Sequence, residues 1–353
     1  MGVEEELVLV DPGSRRPVGL SDLVQASNES SAEVSQELFR HQIETSTPPL
    51  QDAAELGQAL RRGRRAVGEA AAAAGARAVA VGSSPLEGEH EDFTRKPRYL
   101  RIQHDFGRIA RESQMCGMHV HIEVANDAEG VRVVDGIRPW LPLLTAISAN
   151  SPFWRERDTD YASWRSVVWG LWSTAGPHEP FGDVDTYREV ARRTIDWGSA
   201  VDEGMLYYEA RLAASYPTVE VRVADVCLDI EDAVLIAVLA RALVEEYAVR
   251  DAEPWRSDLL RVAGWRAARF GIGGDLVNPV LAELAPPRDV FAALLGVVGE
   301  HLEQGERRLV EDRFEHLLAR GNGAVRQRRR FEETQDLKAV VDDLADATEA
   351  TWA

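Results

Sequence analysis

The sequence predicts an α+β fold, a mostly antiparallel sheet backed by helices, with a helical C-terminal third. Three observations carry the prediction. Met1–Val10, Cys116–Val124 and Thr218–Asp225 alternate in polarity as half-buried strands do. The segments between them lack the regular strand–helix–strand rhythm of a doubly wound sheet or a TIM barrel. From Ile230 onward nearly everything reads as helix, broken at Glu253-Pro254, at 271–279 and at Pro286-Pro287. No repeat or linker divides the chain, so residues 1–353 are expected to form a single domain.

The elements follow in order. After the first strand, Asp11-Pro12-Gly13 turns the chain. Gln36–Glu44 reads as a second strand, ended by Pro48-Pro49. Residues 51–74 are rich in Ala, Leu, Arg and Glu without Pro, a long helix stopped by Gly75. Arg77–Val81 is a short strand, Gly82 to about Pro97 a polar loop, and 99–112 helical. The strand Cys116–Val124 comes next, then a helix at about 133–149 that fails at Asn150-Ser151-Pro152. Residues 151–182 hold Trp154, Trp164, Trp169 and Trp172 among Gly and Pro, a long ordered loop region. Met205–Ala213 and Thr218–Asp225 are strands joined through Tyr216-Pro217.

Composition narrows the function classes. Acids outnumber Lys and Arg 59 to 40, and the net charge of −19 argues against sequence-independent nucleic-acid binding. An anionic substrate stays open, because local arginines or metals reverse the field within a cleft. Cys116 and Cys227 are the only cysteines, so free thiols are expected. No run of 18 apolar residues and no basic–apolar leader is present. The expected setting is the cytoplasm, away from membranes.

The residues with chemistry lie on the strands. His119 and His121 are two apart, so they share one face, and Met118, Val120 and Ile122 face a core. Two imidazoles so placed can hold a metal or meet a phosphate. Gly117 before them marks close approach of a ligand or another backbone. Glu4 and Glu6 share a face, with Val3, Glu5 and Leu7 on the other. Such a pair is either a solvated chain start or a site whose charge a cation neutralises. Glu37 and Glu44 share a face if their segment is helical and face opposite ways if it is a straight strand; alone they read as surface acids. Glu220 and Arg222 share a face, a salt bridge or part of a site, and Arg211 stands on the preceding strand. Together these carboxylates and imidazoles make an oxygen-rich set suited to Mg²⁺ or Mn²⁺ more than to structural zinc. Arginines beside such a metal suggest a polyphosphate substrate. No GxxxxGK[ST] or GxGxxG string is present, and Gly271-Ile272-Gly273-Gly274 reads as a turn, so an ATP site would be built on the sheet.

Six strings together resemble the type 2 glutamate–cysteine ligase family, ATP-dependent carboxylate–amine ligases of the glutamine synthetase superfamily. They are Gly2-Val3-Glu4-Glu5-Glu6, Cys116-Gly117-Met118-His119-Val120-His121, Asn150-Ser151-Pro152-Phe153, Ser163-Trp164-Arg165, Pro217-Thr218-Val219-Glu220-Val221-Arg222, and Trp265-Arg266-Ala267-Ala268-Arg269-Phe270-Gly271. Leu7 and Phe270 depart from residues common in the family, an aromatic and a tyrosine. The resemblance implies a curved antiparallel funnel, open at both ends, that binds ATP and divalent cations inside. It implies Glu4, Glu6, Glu37, Glu44, His119 and Glu220 as metal ligands, and His121 and Arg222 as phosphate contacts. It assigns Arg165 and Arg211 to amino-acid carboxylates, which bidentate guanidinium suits. The implied substrates are glutamate, ATP, and cysteine or another amine; a homodimer is compatible with the family.

Two other readings compete. A metal-dependent hydrolase of the amidohydrolase type would need more ligands from His41, His90, His104, His178, His301 or His316. A binding protein without turnover would have no chemical need for so many acids.

Overall fold

The computed structural model describes residues 1–88 and 92–352. Its centre is a mainly antiparallel sheet. The strands are β1 Gly2–Val10, β2 Glu33–Gln36, β3 Gln42–Ser46, β4 Arg77–Val79 and β5 Gly117–Glu123, then, after a small β6 Phe153–Trp154 and β7 Arg157–Asp158 hairpin, β8 Ala210–Leu212 and β9 Thr218–Asp225. Their order is β2-β3-β1-β5-β9-β8, with β4 on the far half of β1. Every pairing in this sheet is antiparallel.

The helices α1 Ser21–Ser27, α2 Ala53–Ala73, α3 Pro97–Phe106, α4 Arg108–Glu112, α5 Asp127–Ile137, α6 Leu141–Ser148, α7 Trp164–Trp169 and α8 Val184–Asp196 are interspersed with the strands. The C-terminal third holds α9 Ile230–Val249, α10 Ser257–Phe270, α11 Pro287–Val298, α12 Gln304–Arg320, α13 Gly323–Thr334 and α14 Leu337–Ala350. No helix among the described residues is long and apolar enough to cross a membrane.

Alternation decides which face is dry. Val3, Met118, Val120, Ile122, Val219 and Val221 are buried in one core with α5, α6 and α9. The far half of β1 is covered on both faces, so Leu7, Val8, Leu9 and Val10 are all buried, with β4, α2 and α14. Glu5 points to this dry side. Its carboxylate is paired with Arg64 of α2 at 2.6 Å, and both side chains are fully buried. Arg64 also donates to the carbonyls of Cys227 and Leu228.

Several expected boundaries change. Gln36–Glu44 is not one strand. Residues 37–41 form the connection of the β2–β3 hairpin, closed by the Phe39 amide on the Gln42 side chain at 3.2 Å. Met205–Ala213 pairs only over Ala210–Leu212, and Glu203–Met205 is a 3-10 turn. The helix expected at 99–112 breaks at Gly107, whose φ of +55° suits glycine. The 151–182 region contains helix α7, and 271–285 adds a small hairpin, β10 Leu276–Asn278 with β11 Glu283–Ala285. Part of the expected polar loop, including His90, lies outside the described residues. Both cysteines are free and buried.

Candidate active site

Strand register assembles the site. On β1, Glu4 pairs with His119 of β5 and Glu6 with Glu44 of β3. His121 pairs with Glu220 of β9, which pairs in turn with Arg211 of β8. Residues two apart share a face, so four central strands aim their acids and imidazoles at the same side of the sheet. Glu37 joins from the hairpin connection, its bend resolving the open question of how it could meet Glu44.

Three sets of side chains could each hold a cation: Glu4, His121 and Glu220; Glu4, Glu44 and His119; Glu6, Glu37 and Glu44. In each, the ligand atoms lie within 4.8 Å of one another. All six expected metal ligands are therefore in one cluster, and His121, expected as a phosphate contact, lies in it as well. None of the other described histidines joins, so the hydrolase reading finds no further imidazole among the described residues.

The electrostatics divide the cluster in two. Glu37 is pushed up to about 7 by burial first and then by the Glu6 charge. Glu44 lies well above the carboxylate range through burial and the charges of Glu37, Glu4 and Glu6. Burial also raises Glu6, opposed by Arg165 and by the Gly117 amide, which donates to Glu6 Oε2 at 2.6 Å. These acids repel one another, and a divalent cation is the neutraliser that would let all of them ionise. On the other side, burial pushes Glu4 up but hydrogen bonds from His119 and His121 hold it below the usual range. Glu220 is held low against its burial by Arg222 and Arg211. His119 is pushed down to about 4 by burial and by Arg222, so at neutral pH the imidazole has a free lone pair, as a ligand must.

The cluster lies between two cavities. One, of about 300 Å³, is walled by Glu4, Glu6, Glu37, His119, His121, Glu220, Arg211 and Arg222 on the charged side. Leu38, Ile102, Met115, Trp169, Trp172 and Tyr207 form its apolar side, with Arg98 and Tyr99 of α3. The other, of about 930 Å³, runs past Ser30–Glu33, Glu44, Ser46–Pro49 and the α2 residues Arg62, Arg65 and Glu69. Glu4, His121 and Tyr216 line both.

The arginines have distinct placements. Arg222 is paired with Glu220 Oε1, and its guanidinium lies 5.9 Å from the Trp169 ring and 5.8 Å from the Tyr207 ring. Arg211 Nε donates to Glu220 Oε2 at 2.7 Å, and its Nη1 reaches the carbonyls of Glu203, Gly204 and Leu206. The expectation that Arg165 grips a substrate carboxylate meets a different geometry. Its side chain is 3% exposed and is not among the residues lining the cavity. Its donors go to the carbonyls of Arg222 and Val223. Gly117, expected to mark a ligand's approach, instead makes room for Arg165, whose Nη2 would lie 2.3 Å from a Cβ there.

Sequence reading missed the cavity's far wall. Arg98 closes it by a bidentate bridge to Asp202, at 2.6 and 2.8 Å. The run Arg95-Lys96-Pro97-Arg98 carries no signal separating it from a solvated helix start. Tyr207 could have been suspected only from the apolar run Met205–Tyr208.

Comparison with known proteins adds an independent line. The family model described as glutamate–cysteine ligase family 2 matches residues 1–343. A protein from Nocardioides sp., provisionally named glutamate–cysteine ligase 2-1, is 46% identical over 369 residues, covering 100% of this chain and 96% of its own. A Streptomyces avermitilis protein with the same provisional name is 42% identical, covering 99% of both chains. Among solved structures, a glutamate–cysteine ligase from Francisella tularensis in complex with AMP superposes with a TM-score of 0.73 at 12% identity, covering 100% of this chain and 88% of that one. A bifunctional glutathione synthetase from Pasteurella multocida gives 0.68 at 14% identity, with 98% of this chain matched to 52% of that one.

Proposed function

The chain belongs to glutamate–cysteine ligase family 2, and on that premise we propose that it uses ATP to join the γ-carboxylate of glutamate to an amine, with cysteine the acceptor its relatives' names suggest. The observation that carries the proposal is the convergence of Glu4, Glu6, Glu37, Glu44, His119 and Glu220 beside Arg222 and His121 on one sheet face.

The chemistry requires such a site. A carboxylate is a poor acyl donor, because its leaving group would be oxide. Phosphorylation by ATP makes an acyl phosphate and releases ADP. Attack by the amine then forms the amide and expels phosphate. Bringing two anions together needs neutralised charge and an in-line approach. Mg²⁺ or Mn²⁺, held by the five acids and the His119 imidazole, would supply that neutralisation and orient the phosphate oxygens. Arg222 and His121 face the phosphates. Arg211 has Glu220 and three carbonyls to hold it rigid, and it orients a substrate carboxylate from the wall. Two cavities meeting at Glu4 and His121 support a funnel of the glutamine synthetase kind, with reactants entering from opposite ends. The match over residues 1–343 supports one catalytic domain, and two free buried thiols fit a cytoplasmic enzyme whose partners are small molecules.

The test is incubation with ATP, Mg²⁺ and glutamate against a panel of amines, read by product mass and ADP release. Amide product with stoichiometric ADP is expected, abolished by excess chelator. Glutamate-dependent ADP release that persists in chelator would sink the site assignment.

A further inference from the structure

Arg165 stands at a defect in the sheet. Between Met118 and Val120 the β5–β9 register shifts: Met118 pairs with Ala224 but Val120 with Val221. β9 therefore sets both Arg222 and Val223 against the single residue His119. Such a bulge leaves backbone groups outside the ladder and re-aims a side chain. Arg165 donates to the two carbonyls at that defect, Nη2 to Arg222 at 3.1 Å and Nη1 to Val223 at 3.4 Å. The same guanidinium packs over Gly117, whose amide fixes Glu6 at 2.6 Å.

The arginine is itself held from behind. Asp225, fully buried, accepts from the Asn150 amide at 2.8 Å, from Ser151 Oγ at 2.7 Å and from Ser163 Oγ at 2.8 Å. Ser151 Oγ takes the Arg165 amide at 3.0 Å, and Ser163 caps α7, which carries Arg165 and Trp169. A side chain that satisfies two bulge carbonyls, is anchored by its own amide and sits under a required glycine is built to hold a shape.

Resting on the ligase reading, we propose that Arg165 is a positioning residue: it clamps the β9 bulge that aims Arg222 at Glu220 and keeps the Gly117–Glu6 contact in register, and it touches no substrate. It thus ties the phosphate side of the site, Arg222, to the metal side, Glu6. Lysine preserves the charge but cannot place two donors in a fixed fork.

The test uses the full chain as wild type, Arg165→Gln, Arg165→Lys and Gly117→Ala, each checked for folding by circular dichroism. Initial rates give kcat and separate KM values for ATP and glutamate; Mn²⁺ binding is followed by electron paramagnetic resonance. Arg165→Gln is expected to lose at least a hundredfold in kcat and to bind Mn²⁺ at least tenfold more weakly. Its KM for glutamate should stay within threefold. Arg165→Lys should recover only part of kcat. Gly117→Ala, which keeps the arginine but displaces it, should reproduce the Arg165→Gln pattern. A tenfold rise in the KM for glutamate with kcat and Mn²⁺ affinity retained would overturn the proposal in favour of a carboxylate grip. Wild-type behaviour of Gly117→Ala would overturn it too. If Arg165→Gln does not fold, Arg165→Lys and Gly117→Ala decide. If wild type forms no product with any amine, the ligase reading fails, and the Mn²⁺ measurement still decides whether Arg165 shapes the site.

Discussion

Glu4 and His119 face each other across the β1–β5 ladder, with Glu4 Oε2 3.3 Å from His119 Nδ1, while Glu4 Oε1 lies 3.4 Å from His121 Nε2. One carboxylate thus bridges both imidazoles of β5 and belongs to two of the three candidate cation sets. Glu4→Gln keeps the shape and removes the charge. Mn²⁺ affinity should fall by at least about tenfold, the lower end of what even a supporting residue around a metal costs. Turnover should fall with it, and extra Mg²⁺ should restore only part. His119→Ala should behave alike; a His119→Ala protein with wild-type Mn²⁺ binding would remove that imidazole from the ligand set.

The Glu5–Arg64 pair is structural, on the opposite face from the site. Taking one partner away leaves a buried charge unmatched, so Arg64→Met should destabilise by about 3–5 kcal/mol. Arg64 also serves the Cys227 and Leu228 carbonyls, which would be orphaned together. Urea titration followed by circular dichroism checks the magnitude. Mn²⁺ affinity in the folded variant should be unchanged.

Both thiols should be silent in the native protein. Burial pushes Cys116 and Cys227 well above the usual thiol range, so thiolate is scarce and access is closed. Ellman's reagent should label neither within minutes in buffer and both in urea. Fast labelling of the native chain would show that the packing over at least one of the two buried thiols opens.

Much of this site was legible because period-two alternation is local. Glu4, Glu6, His119, His121, Glu220 and Arg222 each fell on the face that alternation assigned them. What was not legible depends on partners distant in sequence or on departures from the period. Glu37 was read into a strand; the Gln42 side chain turns the chain there instead. Arg211 was read on a longer strand, yet its own bonds to three carbonyls draw residues 203–206 out of the ladder. Gly117 announced a close approach, but the residue approaching lies 48 positions on. The β9 bulge has no signal at all in Val221-Arg222-Val223, since an extra residue is defined only against the paired strand.

The charge cluster makes cation binding pH-dependent, and the sign follows from Glu37. Without metal its folded carboxyl ionises near 7, above the ordinary value, because of burial and the neighbouring Glu6. A group raised on folding stabilises most below its unfolded value and loses that contribution as pH climbs through its folded one. Glu44, raised well above the ordinary range, acts in the same direction. His119 has the opposite sign: lowered to about 4, it costs stability only as pH falls below its unfolded value near 6.5. Between about pH 6.5 and Glu37's folded value near 7 the acids therefore govern, with Glu44 acting in the same direction. In chelator the melting temperature should fall across that window. Mg²⁺ or Mn²⁺ should reverse the fall, so the metal-induced rise in melting temperature should grow with pH, and binding near pH 6.5 should release protons to the buffer. Glu37→Gln should flatten the chelated curve and shrink the proton release. Calorimetry in two buffers of different ionisation enthalpy measures that release; none in the wild type would mean that the acids are already ionised without a cation.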